Sequence, residues 1–239
     1  MRQTLTIANR ELTSLFFSPI AYVVLGLFAL GTTMIFLMTF FPGAPASLRD
    51  TMFWVIWLLI FLVPAISMRL LAEEFHSGTV ETLMTAPITD AQVVAGKWLG
   101  AMGFFAALLS PLLIFVIVLE SNGRPEYGPI FTGILGLFLV GGLYLAIGTF
   151  ASAATQNQII AFLLAFFIIC LLTFAMYFLP RADFVGPGLR EAMFYLNVNQ
   201  QFEDFNKGLI DISNFVFFVS GICYFLFLAV MLLQSRRWR

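Results

Sequence analysis

Six apolar runs separated by short polar breaks organise this chain. They cover residues 19–41, 52–70, 98–119, 130–154, 158–179 and 215–233. A helix crossing the hydrocarbon core of a bilayer needs about 20 predominantly apolar residues, so each run predicts one span. The apolar residues are continuous rather than alternating, which excludes a membrane β-barrel. Every backbone group in lipid must then find its partner inside its own helix. The breaks have physical causes. Pro42-Gly43-Ala44-Pro45 ends the first run, Ser121-Asn122-Gly123-Arg124-Pro125 follows the third, and Gln156-Asn157-Gln158 makes a polar turn after the fourth. The first run is too long for a signal-peptide core and has no small-residue cleavage site, so it reads as a retained span.

Two further helices are predicted outside the spans. In residues 1–18, Leu5, Ala8, Leu12, Leu15 and Phe16 share one helical stripe, with Ile7 off it. That pattern predicts an amphipathic helix lying in the membrane interface. Between the last two spans, residues 180–214 form a long loop. Pro187-Gly188 starts one helix there over 189–207, Glu203 and Lys207 are spaced for an i,i+4 pair, and Gly208 suits its end. Asp211 or Ser213 then caps the last span. The predicted fold class is an all-α membrane protein: six transmembrane helices, an N-terminal interfacial helix, a short helix between spans two and three, and a helix before the last span. A single transmembrane domain occupies residues 1–239.

Composition agrees with lipid as the solvent. Of 239 residues, 61% are hydrophobic and 10% charged, against about 25% charged in soluble domains. The net charge of -1 offers no basic field for nucleic acid. Orientation follows the placement of Lys and Arg. With the N-terminus in the cytoplasm, Arg2, Arg10, Arg69, Lys97, Arg236, Arg237 and Arg239 lie inside. Arg49, Arg124, Arg181, Arg190 and Lys207 lie outside. Trp54 and Trp57 near one interface, and Trp98 and Trp238 near the other, fit aromatic belts. Cys170 and Cys223 fall inside apolar runs and read as small buried hydrophobes.

Several chemistries are missing. No span carries a charged residue in its middle, which argues against a proton relay or voltage sensor. No G-x-x-x-x-G-K-[ST] occurs: Ala91 stands where the first glycine should precede Gly96-Lys97, and Trp98 where Ser or Thr should follow. The single histidine, His76, has no second to build a metal site. The chain by itself therefore reads as neither an enzyme nor a cofactor protein.

The polar stretch between spans two and three is the most informative. The second span runs on through Ala72-Glu73-Glu74-Phe75, and Ser77-Gly78 breaks it. Thr79 is a good N-cap, with Glu81 in the first turn, where a carboxylate complements the helix dipole. The helix over 80–85 must stop before Pro87, and Thr89-Asp90-Ala91-Gln92 is a capping box that starts the next long helix. Val80, Leu83 and Met84 give the short helix an apolar face. Such a knob between two spans can seat in a soluble partner and pass movement to both; an ordinary capped loop is the alternative. Pro64 and Pro111 lie inside the two attached spans and are hinge candidates, or static kinks. Gly142-x-x-x-Ala146, Gly148-x-x-x-Ser152 and Ala161-x-x-x-Ala165 are small-residue pairs that let helices approach closely, within one subunit by default.

The run Glu73-Glu74-Phe75-His76-Ser77-Gly78-Thr79-Val80-Glu81-Thr82-Leu83-Met84-Thr85-Ala86-Pro87-Ile88, followed by Gly96-Lys97, resembles the region after the second span in ABC-2-type permeases. Their pattern there is E-E-x-x-x-G-T-x-E-x-L-x-x-x-P, with G-K beginning the third span. Arg10-Glu11-Leu12 resembles the common start of the family. Residues 202–211, Phe-x-Asp-Phe-x-Lys-Gly-Leu-Ile-Asp, resemble the permeases of gliding-motility and copper-site-maturation systems. The resemblance implies a multi-pass permease of the bacterial inner membrane with both termini cytoplasmic, working as an exporter. It also implies a second permease subunit (as homodimer or heterodimer), a cytosolic ABC ATPase dimer that binds ATP and Mg, and room for further extracytoplasmic subunits. Segment 73–90 would be the coupling element, with Glu73, Glu74, Gly78, Thr79, Glu81, Leu83 and Pro87 as the positions carried over. The acidic pair Glu73-Glu74 would meet basic residues of the ATPase. A non-transporting membrane anchor for a soluble partner is the competing reading, and the substrate is not legible.

Overall fold

A computed structural model describes residues 2–40, 47–78, 88–123, 125–181 and 186–237. Within them the protein is all-helical, and six helices are long and apolar enough to cross a membrane. Helix α1 spans Arg2–Phe16 and α2 Pro19–Thr39. The second span is α3 (Arg49–Ser67) followed by the short α4 (Ala72–Ser77). The third is α5 (Asp90–Leu108) and α6 (Ser110–Asn122). Helix α7 is Tyr127–Ala154. Helix α8, Gln158–Cys170, continues through a π-helical turn, Leu171–Ala175, and a last turn, Met176–Phe178. Helices α9 (Pro187–Leu196) and α10 (Val198–Lys207) precede the last span, α11 (Ile212–Arg237).

Helix α7 is the hub. It packs against α3, α5, α8, α10 and α11. Of its apolar window 72% is buried, against 17% for the last span, so the bundle is built around α7 and lipid-facing spans surround it. Its small residues allow this. Gly142 meets Ile222 of α11, and a Cβ at Gly148 would collide with the Ser67 side chain of α3. These small-residue pairs therefore serve contacts within the chain. Trp98, assigned above to an aromatic belt, instead donates its indole N–H to the Gly142 carbonyl at 3.0 Å.

Helix α10 lies across the end of the bundle opposite α1. Phe202 and Phe205 are fully buried. Thr132 Oγ1 of α7 donates to the Phe205 carbonyl at 2.6 Å, and Asn206 Nδ2 donates to the Arg49 carbonyl at 2.9 Å. The single helix expected over 189–207 is in fact two. Asn197 takes an extended conformation, ends α9 and caps α10 by accepting from the N–H groups of Asn199 and Gln200. Its Nδ2 also donates to the Met176 carbonyl at 3.0 Å. An asparagine that can cap competes with helix continuation, and here it wins. The Glu203–Lys207 pair is present at 2.6 Å, and that hydrogen bond raises the Lys207 pKa above its ordinary value. Gly208 ends α10 in the left-handed region, and Asp211 caps α11 through Ser213 N–H at 2.9 Å.

Two other expectations change. The second span does not run straight into Glu74: the chain turns at residues 68–71 before α4 begins. The buried stripe of α1 keeps Ala8, Leu12, Leu15 and Phe16 but exchanges Leu5 for Ile7 and Glu11. Leu5 is 64% exposed, while Ile7, Ala8, Glu11, Leu12 and Leu15 face the protein. The reason is that α1 lies along α5 and is phased by that helix.

Candidate coupling junction

The root of the linker between spans two and three is built from three separate stretches of sequence. On α5, glycines open a track for α1. A Cβ at Gly96 would stand 2.8 Å from Ile7 Cβ, and one at Gly100 2.7 Å from the Ala8 carbonyl oxygen. Backbone contact this close is the packing that small-x-x-x-small spacing permits. It brings Glu11 of α1 beside Lys97 of α5.

Lys97 is the centre of the junction. Its side chain is 3% exposed; Nζ donates to Glu11 Oε2 at 3.0 Å and approaches Glu74 Oε1 at 2.8 Å. The two carboxylate side chains are themselves 11% and 12% exposed. Arg10 reaches Glu74 from the solvent side, at 3.6 Å. One buried cation thus meets two nearly buried anions, and the solvent-exposed Arg10 supplies the balancing charge at the rim. Such a site is tolerated because each buried charge has a partner. One ammonium ties α1, α4 and α5 together.

The turn between α3 and α4 is held from α7. Ser152 Oγ accepts from the N–H groups of Leu71 and Ala72, both at 2.9 Å, and donates to the Met68 carbonyl at 3.0 Å. A helix end leaves backbone donors and acceptors without intrahelical partners, and this hydroxyl satisfies three of them at once. Beyond it, α4 ends at Gly78, whose φ of 70° is the left-handed geometry glycine tolerates. The chain re-enters α5 through the expected capping box: Thr89 N–H donates to Gln92 Oε1 at 3.1 Å, and Gln92 N–H to Thr89 Oγ1 at 3.3 Å.

The positions singled out in the sequence divide accordingly. Glu74 sits in the ion-pair cluster, where Lys97 and Arg10 both reach its carboxylate. Glu73 beside it is exposed. Gly78 ends α4. Thr79, Glu81, Leu83 and Pro87, with the short helix expected over 80–85, lie outside the described residues. Pro64 lies within α3 one turn before its end, where its carbonyl accepts from Met68 N–H at 2.9 Å. Pro111 begins α6 just after the helix breaks at Leu109, away from the junction. Sequence reading missed the roles of Glu11, Lys97 and Ser152 and the Gly96-x-x-x-Gly100 track. The glycine spacing was a usable signal; the serine's role carried none.

A family model, described as ABC-2 family transporter protein, matches residues 6–234. The chain belongs to the ABC-2 transporter family. A search of curated proteins returned no match. As an ABC-2 permease, the protein is a multi-pass membrane component of the ABC transporter type, and its charged junction lies at the end of the bundle where the linker of spans two and three emerges. Among the described residues, no cluster of His, Cys, Asp and Glu has the makeup of a metal site.

Proposed function

We propose that this ABC-2 permease is the transmembrane subunit of an ATP-driven exporter in a bacterial inner membrane, moved by a separate ATPase dimer that docks on segment 78–88. The reading is supported by one observation above the others: Lys97 joins α1, α4 and α5 at the root of that segment. A push on the segment then reaches α4 directly, α5 through its capped start, and α1 through Glu11. Because α5 also packs on α7, movement of the three-helix unit is delivered to the hub. A close-packed interior transmits such displacement instead of absorbing it. The permease pairs with a second permease subunit, and ATP and Mg belong to the ATPase. Exposed Glu73 is the acid available to basic residues of that partner, with Arg10 the neighbouring cation on α1.

The test is co-expression with an ABC ATPase and measurement of assembly and ATP hydrolysis. Leu83→Ala or Glu81→Arg is expected to weaken the complex or its permease-dependent hydrolysis while leaving the permease folded. Full assembly and unchanged hydrolysis in both variants would remove the proposed docking role.

A further inference from the structure

The fifth span changes character towards the end of the bundle where α10 lies. Helix α8 is regular through Cys170, widens into the π-turn at Leu171–Ala175, closes again over Met176–Phe178 and ends in a tight 3₁₀ turn at Leu179–Arg181. The wide turn is closed by Met176 N–H, which donates to the Leu171 carbonyl. Turns of this kind interrupt the α-helical ladder, bend the helix and recur at functional sites.

The two parts of this span are held by different forces. Before the turn the attachment is close packing. Ala161, Ala165 and Ile169 are fully buried, and α8 lies against α7 and α3 there. At the turn and beyond it, hydrogen bonds take over. The Thr173 and Tyr144 hydroxyls are bonded to each other at 2.5 Å, across from α8 to the hub helix α7, with both side chains fully buried. Thr32 and Thr149 turn their hydroxyls back onto the carbonyl four residues earlier, as a threonine inside a helix commonly does. Thr173 is bonded to another span instead. Its carbonyl accepts from Asn199 Nδ2 at 3.3 Å, and the Met176 carbonyl accepts from Asn197 Nδ2 at 3.0 Å. Both asparagines stand at the start of α10, which is itself fastened to α7 through Thr132. Helix α3 adds only ring contacts: Trp57 meets Phe174 and Tyr177 edge-on, with centroids 5.7 Å apart in each case.

We propose that Leu171–Arg181 is a lid at this end of the bundle, jointed at the π-turn and latched to the hub by the Tyr144–Thr173 hydrogen bond. Helix α10 is the fixed bracket, whose Asn197 and Asn199 the lid leaves and rejoins. Lifting the lid breaks neutral hydrogen bonds and slides rings apart, so no charge has to leave its partner. It uncovers Tyr144 and Trp57 and opens an aromatic-walled gap between spans two, four and five. The movement belongs to the permease chain and does not depend on ATPase docking.

The experiment is hydrogen exchange read by mass spectrometry on the full chain in lipid nanodiscs. A lid opens as one body, so its amides share one opening equilibrium. Tyr144→Phe keeps the ring and removes the latch hydroxyl. Losing one buried hydrogen bond should raise exchange at residues 174–181 by a common factor of about five, leaving residues 158–169 and 201–207 unchanged. Thr173→Val removes the other hydroxyl and should give the same factor over the same residues; it decides the matter if Tyr144→Phe fails to fold. Exchange that rises only at residues 171–175, that rises equally along the whole span, or that does not rise at all would each overturn the proposal.

Discussion

Replacing Lys97 with methionine removes the one cation shared by Glu11 and Glu74 while keeping most of the side-chain volume. Breaking a buried ion pair by deleting one member costs about 3–5 kcal/mol, because the partner is left charged and poorly solvated. Here the lower end applies: both carboxylates retain slight exposure, and Arg10 still lies 3.6 Å from Glu74. A loss of about 3 kcal/mol corresponds to a melting temperature lowered by roughly 6–12 °C for a chain of this size. Glu11→Gln alone leaves Lys97 a neutral acceptor in place of a charged one and costs about 1 kcal/mol. In the Lys97→Met background it removes an unpaired charge instead, so it should cost nothing or restore stability. The assay is thermal unfolding in detergent of wild type, both single variants and the double variant, read as a double-mutant cycle. Additive losses, or a Lys97→Met loss below about 1 kcal/mol, would refute the claim that this ammonium holds the two helices.

Gly100→Ala should lower stability by about 1–3 kcal/mol by forcing α1 away from α5, whereas Gly26→Ala, which meets nothing within 4 Å, should be neutral or slightly stabilising; thermal unfolding of the two separates close approach from helix propensity. Ser152→Ala leaves the Leu71 and Ala72 N–H groups without their acceptor and should cost about 1–3 kcal/mol, with hydrogen exchange faster at residues 71 and 72 than elsewhere in the second span. Pro111→Ala restores the missing N–H at the α5–α6 break, and if the break flexes during transport it should leave assembly intact while uncoupling ATP hydrolysis from cargo movement; unchanged coupling would reject the hinge.

The six spans were legible because run length alone specifies a bilayer-crossing helix. The capping box and the left-handed stop at Gly78 were legible because every residue they need is adjacent in sequence. Features set by distant partners were not. The turn at 68–71 is held by Ser152, a residue on another span, and nothing local marks it. The face of α1 was read correctly at Ala8, Leu12, Leu15 and Phe16 but not at Glu11, because an amphipathic pattern assigns a carboxylate to solvent; Lys97 turns Glu11 inward, while Leu5 faces out. Glu73 and Glu74 read as one acidic pair until the fold separates them, one to solvent and one to the junction. Asn197 fell inside the single helix expected over 189–207, and the Met176 carbonyl that its Nδ2 reaches belongs to the fifth span.

The central claim is that segment 78–88 faces the ATPase and that the opposite end of the bundle does not. Site-specific photo-cross-linking tests it directly, with benzoylphenylalanine placed at Leu83 and, as the far-end control, at Leu209 in the intact transporter complex. The account predicts a cross-link from position 83 to the ATPase that changes in yield when ATP is added, and none from position 209. An ATPase adduct at 209, or a fully assembled complex in which 83 captures no ATPase, would contradict it.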